Sequence, residues 1–270
     1  MTSQQPLNLE THKMQAWVED QIGWMVFNQP ERRNALSLDM WQAMGDILEQ
    51  FDRDDRVRVI IMRGAGGKAF VSGADISEFD TQRSNAAQKA RYGKIAGRAN
   101  YWLSHSRKPL LALIEGFCIG GGLATALAAD IRIASSDSTF GIPAARLGLG
   151  YEYTGLAKLA RTVGPARARD IMLSARLFGA DEAQTMDLVH FVRPRAETES
   201  FCRDYAAQLA ANAPLTQQAA KAAVNAFERG GRREEVAAVE QLVDGCFDSA
   251  DYVEGRRAFR EKRPPRFLGK

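Results

Sequence analysis

Hydrophobic and polar positions alternate between strand and helix spacing over roughly the first 190 residues. Short apolar or β-branched runs predict the strands 14–19, 21–28, 57–62, 69–72, 109–115, 130–134 and 139–142. Between them, helical spacing follows a predicted N-cap at Ser37, dominates residues 75–105 and resumes at Gly121. Alternating strands and helices are typical of βαβ crossovers, so an α/β fold is expected.

The C-terminal part of the chain has a different pattern. After Pro194, apolar residues recur at helical spacing to the end of the sequence. We therefore predict two parts, an α/β core over residues 1–195 and a helical region over residues 196–270. Such appended helices either make subunit contacts or pack on their own core, and the sequence leaves both open.

Composition and charge narrow the class of protein. Hydrophobic residues make up 45% and charged residues 26%, so the chain can build a sizeable core. A net charge of +3 is too small to indicate nucleic acid or a membrane surface as a partner. Cys118, Cys202 and Cys246 form no CxxC motif, and no signal peptide is visible at the N-terminus. A soluble cytoplasmic protein is expected.

Several motifs that would indicate other kinds of site lack the neighbouring elements or the spacing that those sites need. The Gly64-x-Gly66-x-x-Ala69 spacing resembles a dinucleotide turn, but a strand-like run follows it where a helix is needed. The three histidines lack metal-ligand spacing, and no G-x-S-x-G elbow is present. A basic helix is predicted to be a solvated face, with RNA contact as the alternative. Its basic residues are Arg83, Lys89, Arg91, Lys94 and Arg98.

Two glycine-rich turns carry the strongest chemical signal. Residues 70–76 and 115–122 each lead from a strand through glycine into a helix. Such turns leave backbone N–H groups unpaired and open to close approach. Brought together, two turns could direct two amides at one carbonyl oxygen and form an oxyanion hole. Tight packing explains either turn on its own.

At these turns the chain resembles the crotonase (enoyl-CoA hydratase/isomerase) superfamily. The likeness runs from about residue 14 to residue 267, and four segments carry it in order. They are NQPERRNAL at 28–36, SGADI at 72–76, GGG at 120–122 with AADI at 128–131, and FGADEAQTMDLVHFV at 178–192. The resemblance implies a spiral of ββα units with a C-terminal helical trimerisation region, a homotrimer or dimer of trimers, and an acyl-CoA thioester as substrate.

The resemblance also implies site residues. The amides of Ala74 and Gly121 would hold the thioester oxygen. The coenzyme A site would be lined by Arg32, Arg33, Ala35, Leu36, Gly73, Asp75 and Ile76. Coenzyme A would be part of the substrate, so no separate cofactor, no metal, no membrane and no nucleic acid is expected.

Departures from the family pattern bear on the reaction. Where hydratases of the family carry two glutamates, this chain has Ala124 and Ala144. Adding water needs a positioned acid and base, which alanine cannot supply. Tyr151 falls where methylmalonyl-CoA decarboxylases have a pocket tyrosine, although the decarboxylase has histidine in place of Ala74. Glu152 falls where isomerases and a dehalogenase of the family place an acidic residue.

Three hypotheses follow. In the first, a malonyl-type CoA thioester loses CO2 through an enolate held by the oxyanion hole, and the Tyr151 hydroxyl orients the carboxylate. In the second, Glu152 is the single base of an enoyl-CoA isomerase, or acts in a hydratase-like lyase. In the third, the chain binds acyl-CoA or RNA without efficient catalysis. An inward Glu152 would repel a substrate carboxylate, so the orientation of these two neighbours discriminates the first two hypotheses.

Overall fold

Successive strands of the chain enter two β-sheets in turn. The computed structural model describes residues 5–78 and 85–270. Within these ranges the strands are β1 (Gln5–Pro6), β2 (Met14–Glu19), β3 (Ile22–Phe27), β4 (Val59–Gly64), β5 (Ala69–Val71), β6 (Leu110–Ile114), β7 (Phe117–Ile119), β8 (Ile131–Ser135), β9 (Thr139–Gly141), β10 (Phe178–Gly179) and β11 (Phe191–Arg193).

The sheet topology is a repeated ββα unit. One sheet has the order β1-β2-β3-β4-β6-β8-β11 and the other β10-β9-β7-β5. The pairs β4–β5, β6–β7 and β8–β9 each give one strand to each sheet before the chain turns into helix. Equivalent strands of successive units are parallel neighbours: β4, β6 and β8 in the large sheet, and β5, β7 and β9 in the small sheet. The predicted α/β class and ββα spiral are confirmed.

Ten α-helices are present in the described ranges. They are α1 (Leu38–Arg53), α2 (Ala86–His105), α3 (Gly121–Leu127), α4 (Tyr153–Val163), α5 (Pro165–Ser174), α6 (Ala180–Thr185), α7 (Arg195–Ala210), α8 (Pro214–Glu228), α9 (Arg233–Phe247) and α10 (Ala250–Glu261). Short 3-10 turns occupy Pro30–Arg32, Ile76–Glu78 and Pro143–Leu147. No helix in these ranges combines the length and the hydrophobicity that a membrane crossing requires.

The segment predicted as helix over 75–105 differs from its prediction. It begins with the 3-10 turn Ile76–Glu78, and α2 starts only at Ala86. Of the predicted basic face, Lys89, Arg91 and Lys94 are exposed on α2, whereas Arg98 pairs with two carboxylates of α1. Arg83 lies outside the described residues. The RNA alternative stays untested.

Helix α1 begins where the sequence predicts, but a different side chain caps it. Ser37 occupies the N-cap position with extended backbone and makes no capping bond. Instead the Glu78 carboxylate accepts a 2.8 Å hydrogen bond from the Leu38 amide. A carboxylate at a helix N-terminus also meets the positive end of the helix dipole. This contact ties the turn after β5 to α1.

The large sheet is covered on both faces. One face packs against α1 and α2 in the main hydrophobic core, which also takes in the small sheet. The other face, with Trp24 and Ile61, packs against Cys202 and Ala206 of α7. Helix α7 therefore packs on its own sheet. Beyond it, large apolar side chains are exposed, such as Phe259 at 86%. The division at residues 195/196 and the trimerisation role stay predictions.

Candidate active site

The two glycine-rich turns meet in the fold. Strands β5 and β7 are parallel neighbours, so their C-terminal ends lie side by side. The turn after β5 contains Gly73 and Ala74, and the turn after β7 leads through Gly120 into α3. A Cβ built on Gly121 would lie 3.7 Å from the Ala74 amide nitrogen. The structure thus brings together the two backbone amides that the sequence analysis singled out.

Both amides are available to a ligand. Leu36 N donates to Gly73 O at 2.8 Å, and Leu36 O accepts from Asp75 N at 2.9 Å. This bridge uses the residues on either side of Ala74 and leaves the Ala74 N–H without a partner in it. Gly121 is the first residue of α3, where an amide has no intrahelical acceptor. In the described part of the chain, neither Ala74 N nor Gly121 N donates a hydrogen bond. Two adjacent N–H donors can bind one developing oxyanion.

Glycine is required where the turn into α3 meets the turn after β5. Gly120 has φ 55° and Gly73 has φ 122°, values that L side chains rarely adopt. A Cβ on Gly122 would lie 2.1 Å from Val71 O, so α3 presses directly on the backbone of β5. The distance between the two amides is therefore set by main-chain contact.

A largely apolar cavity of about 260 Å3 opens beside the amides. The side chains and backbone of sixteen residues line it: Leu36, Trp41, Ser72, Gly73, Ala74, Ile76, Tyr92, Ile119, Gly120, Gly121, Ile142, Pro143, Ala144, Leu147, Leu149 and Tyr151. This described lining contains no carboxylate, imidazole, ammonium or guanidinium group. No cluster of metal-ligating side chains is present in the described ranges either. The cavity can accept an apolar group of a ligand whose neighbouring oxygen accepts hydrogen bonds from the Ala74 and Gly121 amides.

Tyr151 lines this cavity and Glu152 does not. The Tyr151 ring is half-buried, and its hydroxyl lies 3.4 Å from Gly120 O. Burial raises the pKa of Tyr151 to about 12. Glu152 is exposed at the N-cap of α4, and no residue of the cavity hydrogen-bonds its carboxylate in the described part of the chain.

Ala124 and Ala144, which the resemblance places at two glutamate positions of hydratases, have different environments. Ala144 is buried and lines the cavity from the 3-10 turn Pro143–Leu147. Ala124 lies on α3, is partly exposed and does not line the cavity. Of these two positions, only 144 borders the cavity.

The predicted coenzyme A segments lie next to each other. Arg32 ends a 3-10 turn, and its guanidinium is 3.0 Å from the Asp75 carboxylate. Burial alone would raise the pKa of Asp75, but hydrogen bonds from Ser77 and the charge of Arg32 outweigh it, so its pKa lies below the ordinary value. This ion pair holds the loop before α1 against the turn after β5.

Four further predicted residues occupy distinct places around that ion pair. Arg33 is exposed and stacks over the Phe117 ring at 4.9 Å, and Ala35 is half-buried. Leu36 and Ile76 reach the cavity, and Ile76 is 61% exposed at its rim. The structure therefore brings the two predicted segments together, while their contacts with coenzyme A stay a prediction.

Asn34 shapes the loop and was not singled out from the sequence. Its left-handed backbone, φ 57°, turns the chain, and its fully buried amide bonds Gln29 N, Ala65 O and Ala69 O at 2.8–3.0 Å. An Asn in a polar loop was the only available signal. The aromatic lining residues Trp41 and Tyr92 were also missed as site residues, because helical spacing does not tell core from cavity.

Comparisons with known proteins find related sequences and a related structure. The sequence profile of the enoyl-CoA hydratase/isomerase family matches residues 18–270. The chain is 32% identical over 245 residues to a short-chain-enoyl-CoA hydratase of Clostridium acetobutylicum, covering 91% of this chain and 93% of the relative. It is 30% identical over 252 residues to a crotonyl-CoA hydratase of Syntrophomonas wolfei, covering 93% and 96%.

A solved structure is similar over almost the whole length. It is an enoyl-CoA hydratase/carnithine racemase from Magnetospirillum magneticum, with a TM-score of 0.89, 35% identity and coverage of 97% of both chains. The profile, the relatives and the fold therefore identify this chain as a member of the enoyl-CoA hydratase/isomerase family, within the crotonase superfamily.

Proposed function

We propose that this acyl-CoA enzyme decarboxylates a malonyl-type CoA thioester. The observation that carries the proposal is the lining of the cavity beside the Ala74 and Gly121 amides: its described part has no carboxylate or imidazole, and Glu152 is exposed outside it. Decarboxylation needs an oxyanion hole and no general base, which is what the described lining offers.

The reaction balances with these groups. The bond between the α-carbon and the carboxylate breaks, and CO2 leaves. Its electron pair forms the enolate, whose negative charge rests on the thioester oxygen between the two amides. Each such donor is worth about 2.7–4 kcal/mol of transition-state stabilisation. A proton from solvent then reaches the α-carbon and gives the shortened acyl-CoA.

The apolar cavity would favour this step. A carboxylate loses hydration when it enters a site without cations, whereas neutral CO2 loses little. The described lining places no cationic side chain there to stabilise the ionised carboxylate. The ground state is therefore raised relative to a transition state whose charge has moved to the two amides.

Hydration is the second candidate, because the relatives from Clostridium acetobutylicum and Syntrophomonas wolfei are named hydratases. An acid and a base each typically contribute about 10²–10⁴-fold to such a reaction. Ala144 projects only a methyl group into the cavity, and Ala124 lies outside its lining. The Glu152 isomerase has less support, since the Glu152 carboxylate is exposed and Glu152 does not line the cavity beside Gly121.

Mass spectrometry of the purified protein with separate CoA thioesters tests the proposal. We expect methylmalonyl-CoA to lose the mass of CO2, at a rate above that of heat-denatured protein. Crotonyl-CoA should not gain the mass of water, and a 3-enoyl-CoA should not change its absorbance. Hydration of crotonyl-CoA without loss of CO2 would replace the proposal by its second candidate. Binding without any turnover would indicate the binding-protein hypothesis.

A further inference from the structure

The hydroxyl of Tyr151 contacts the same peptide group that supplies one oxyanion donor. Gly120 O and Gly121 N belong to a single peptide unit, and the Tyr151 hydroxyl lies 3.4 Å from its carbonyl oxygen. The direction of this hydrogen bond is fixed, because a carbonyl oxygen only accepts. A pKa of about 12 keeps the phenol protonated, and so a donor, at any working pH.

Donation to the carbonyl oxygen affects the N–H at the other end of the peptide. Hydrogen bonds in a chain polarise one another, so a peptide whose oxygen accepts a bond becomes a better donor. The low polarity of the cavity strengthens both bonds. Tyr151 can therefore act on the thioester oxygen without touching it.

The surroundings hold the peptide and the ring in place. Gly120 O also accepts a 3.0 Å hydrogen bond from Ala124 N, and Gly120 N, in the preceding peptide, donates to Gly141 O at 2.8 Å, which fixes the turn against β9. The Tyr151 hydroxyl is thus a second donor to the Gly120 carbonyl oxygen. The Tyr151 ring rests on Gly155 of α4, where a Cβ would lie only 3.1 Å from the ring carbon Cε1. A side chain at 155 would push the ring, so glycine there permits the contact.

We propose that Tyr151 is a positioning residue that polarises the 120–121 peptide and strengthens the Gly121 N–H as an oxyanion donor. The inference rests on the proposed function, since it assumes a thioester oxygen at that amide. It also revises the role expected from the sequence. The single hydroxyl hydrogen cannot be donated to Gly120 O and to a substrate carboxylate at once, so Tyr151 would act alike on any acyl-CoA.

Infrared difference spectroscopy of a bound, unreactive thioester tests this role. The probe is butyryl-CoA isotope-labelled at its thioester carbonyl, bound to the intact protein. We expect binding to wild type to lower the carbonyl stretching frequency, and Tyr151→Phe to bind the probe with a smaller lowering. Gly155→Ala, which keeps the hydroxyl but displaces the ring, should fall between them. The exposed Tyr153→Phe is the matched control and should behave as wild type.

The decarboxylation rate supplies a second readout. Loss of one hydrogen bond should lower kcat about two- to tenfold in Tyr151→Phe with little change in KM. If the carbonyl stretching frequency falls as far in Tyr151→Phe as in wild type, the inference is overturned. If Tyr151→Phe also loses the decarboxylation rate, the hydroxyl acts on the substrate carboxylate instead. No shift in wild type, or no binding of the probe, removes the oxyanion assignment and the proposed function together. A shift that depends on Tyr151 in a protein without decarboxylase activity keeps the inference and discards only the reaction.

Discussion

Tyr151 and Glu152 are neighbours in the chain with opposite environments. The Tyr151 ring lies in the cavity below Gly120, and the Glu152 carboxylate is exposed at the start of α4. Glu152 has extended backbone at the N-cap of α4, with φ −72° and ψ 147°, and it does not line the cavity. The chain therefore places Tyr151 at the cavity and Glu152 outside it.

Replacing Glu152 by glutamine should leave turnover almost unchanged. An exposed residue outside the cavity contributes little, so we expect kcat/KM for methylmalonyl-CoA to change by no more than about twofold. Steady-state kinetics of Glu152→Gln against wild type measures this. A loss of a hundredfold or so, typical of a removed general base, would restore the isomerase hypothesis.

Removing the Gly121 N–H should slow turnover strongly. Proline is tolerated at the first residue of a helix, so Gly121→Pro removes chiefly the N–H donor. We expect kcat to fall about 10²–10³-fold with any thioester, as when one oxyanion donor is lost. Circular dichroism and a melting curve must show that the variant is folded.

Arg233→Pro is the matched control for that substitution. Arg233 is the exposed first residue of α9, so proline there has the same backbone role far from the cavity. Its kinetics should equal those of wild type. Equal activity in both variants would refute the assignment of Gly121 as a donor.

The Arg32–Asp75 pair should give stability that depends on pH. The folded-state pKa of Asp75 lies below its ordinary 3.8, so its contribution is present above that value and lost as pH falls through the folded pKa. We expect Asp75→Asn to lower the free energy of unfolding at pH 7 by about 1–2 kcal/mol, discounted because Arg32 is half exposed. Urea unfolding from pH 7 to pH 3 should show the difference shrinking only below about pH 4. A constant difference would mean that the carboxylate charge is not its source.

Two glycine substitutions should have opposite signs. A Cβ on Gly122 meets Val71 O at 2.1 Å, so Gly122→Ala should destabilise the fold by about 1–3 kcal/mol or more. Gly97 lies in the interior of α2 with open space around its Cβ position, and Gly97→Ala should stabilise by about 0.5–1 kcal/mol. Thermal melts of both variants decide this. A neutral Gly122→Ala would show that α3 can move away from β5 without cost.

Local sequence patterns predicted most strands and helices, but not which sheet each strand joins. The sequence predicts one strand over 109–115, whereas the structure has strands at 110–114 and 117–119. They enter different sheets across Gly116, whose φ of 67° turns the chain. Hydrophobicity carries no information on sheet choice. The two adjacent amides were found because glycine-rich turns after strands are a local signal. Trp41, Tyr92 and Ile142 of the cavity wall were not, because they come from distant segments that only tertiary packing joins.

The Ala74 and Gly121 N–H groups belong to the main chain, so substitutions of side chains around them do not remove them. Exchange of a side chain at 74 or at lining positions such as 144 leaves both N–H groups in the backbone, and their spacing is set where α3 meets β5. New acidic or basic groups can thus be introduced around an unchanged electrophile-binding centre. Ala144 is the natural place to start a laboratory evolution experiment, because it borders the cavity while the turn that carries it ends at Gly148, whose φ of 63° is left-handed.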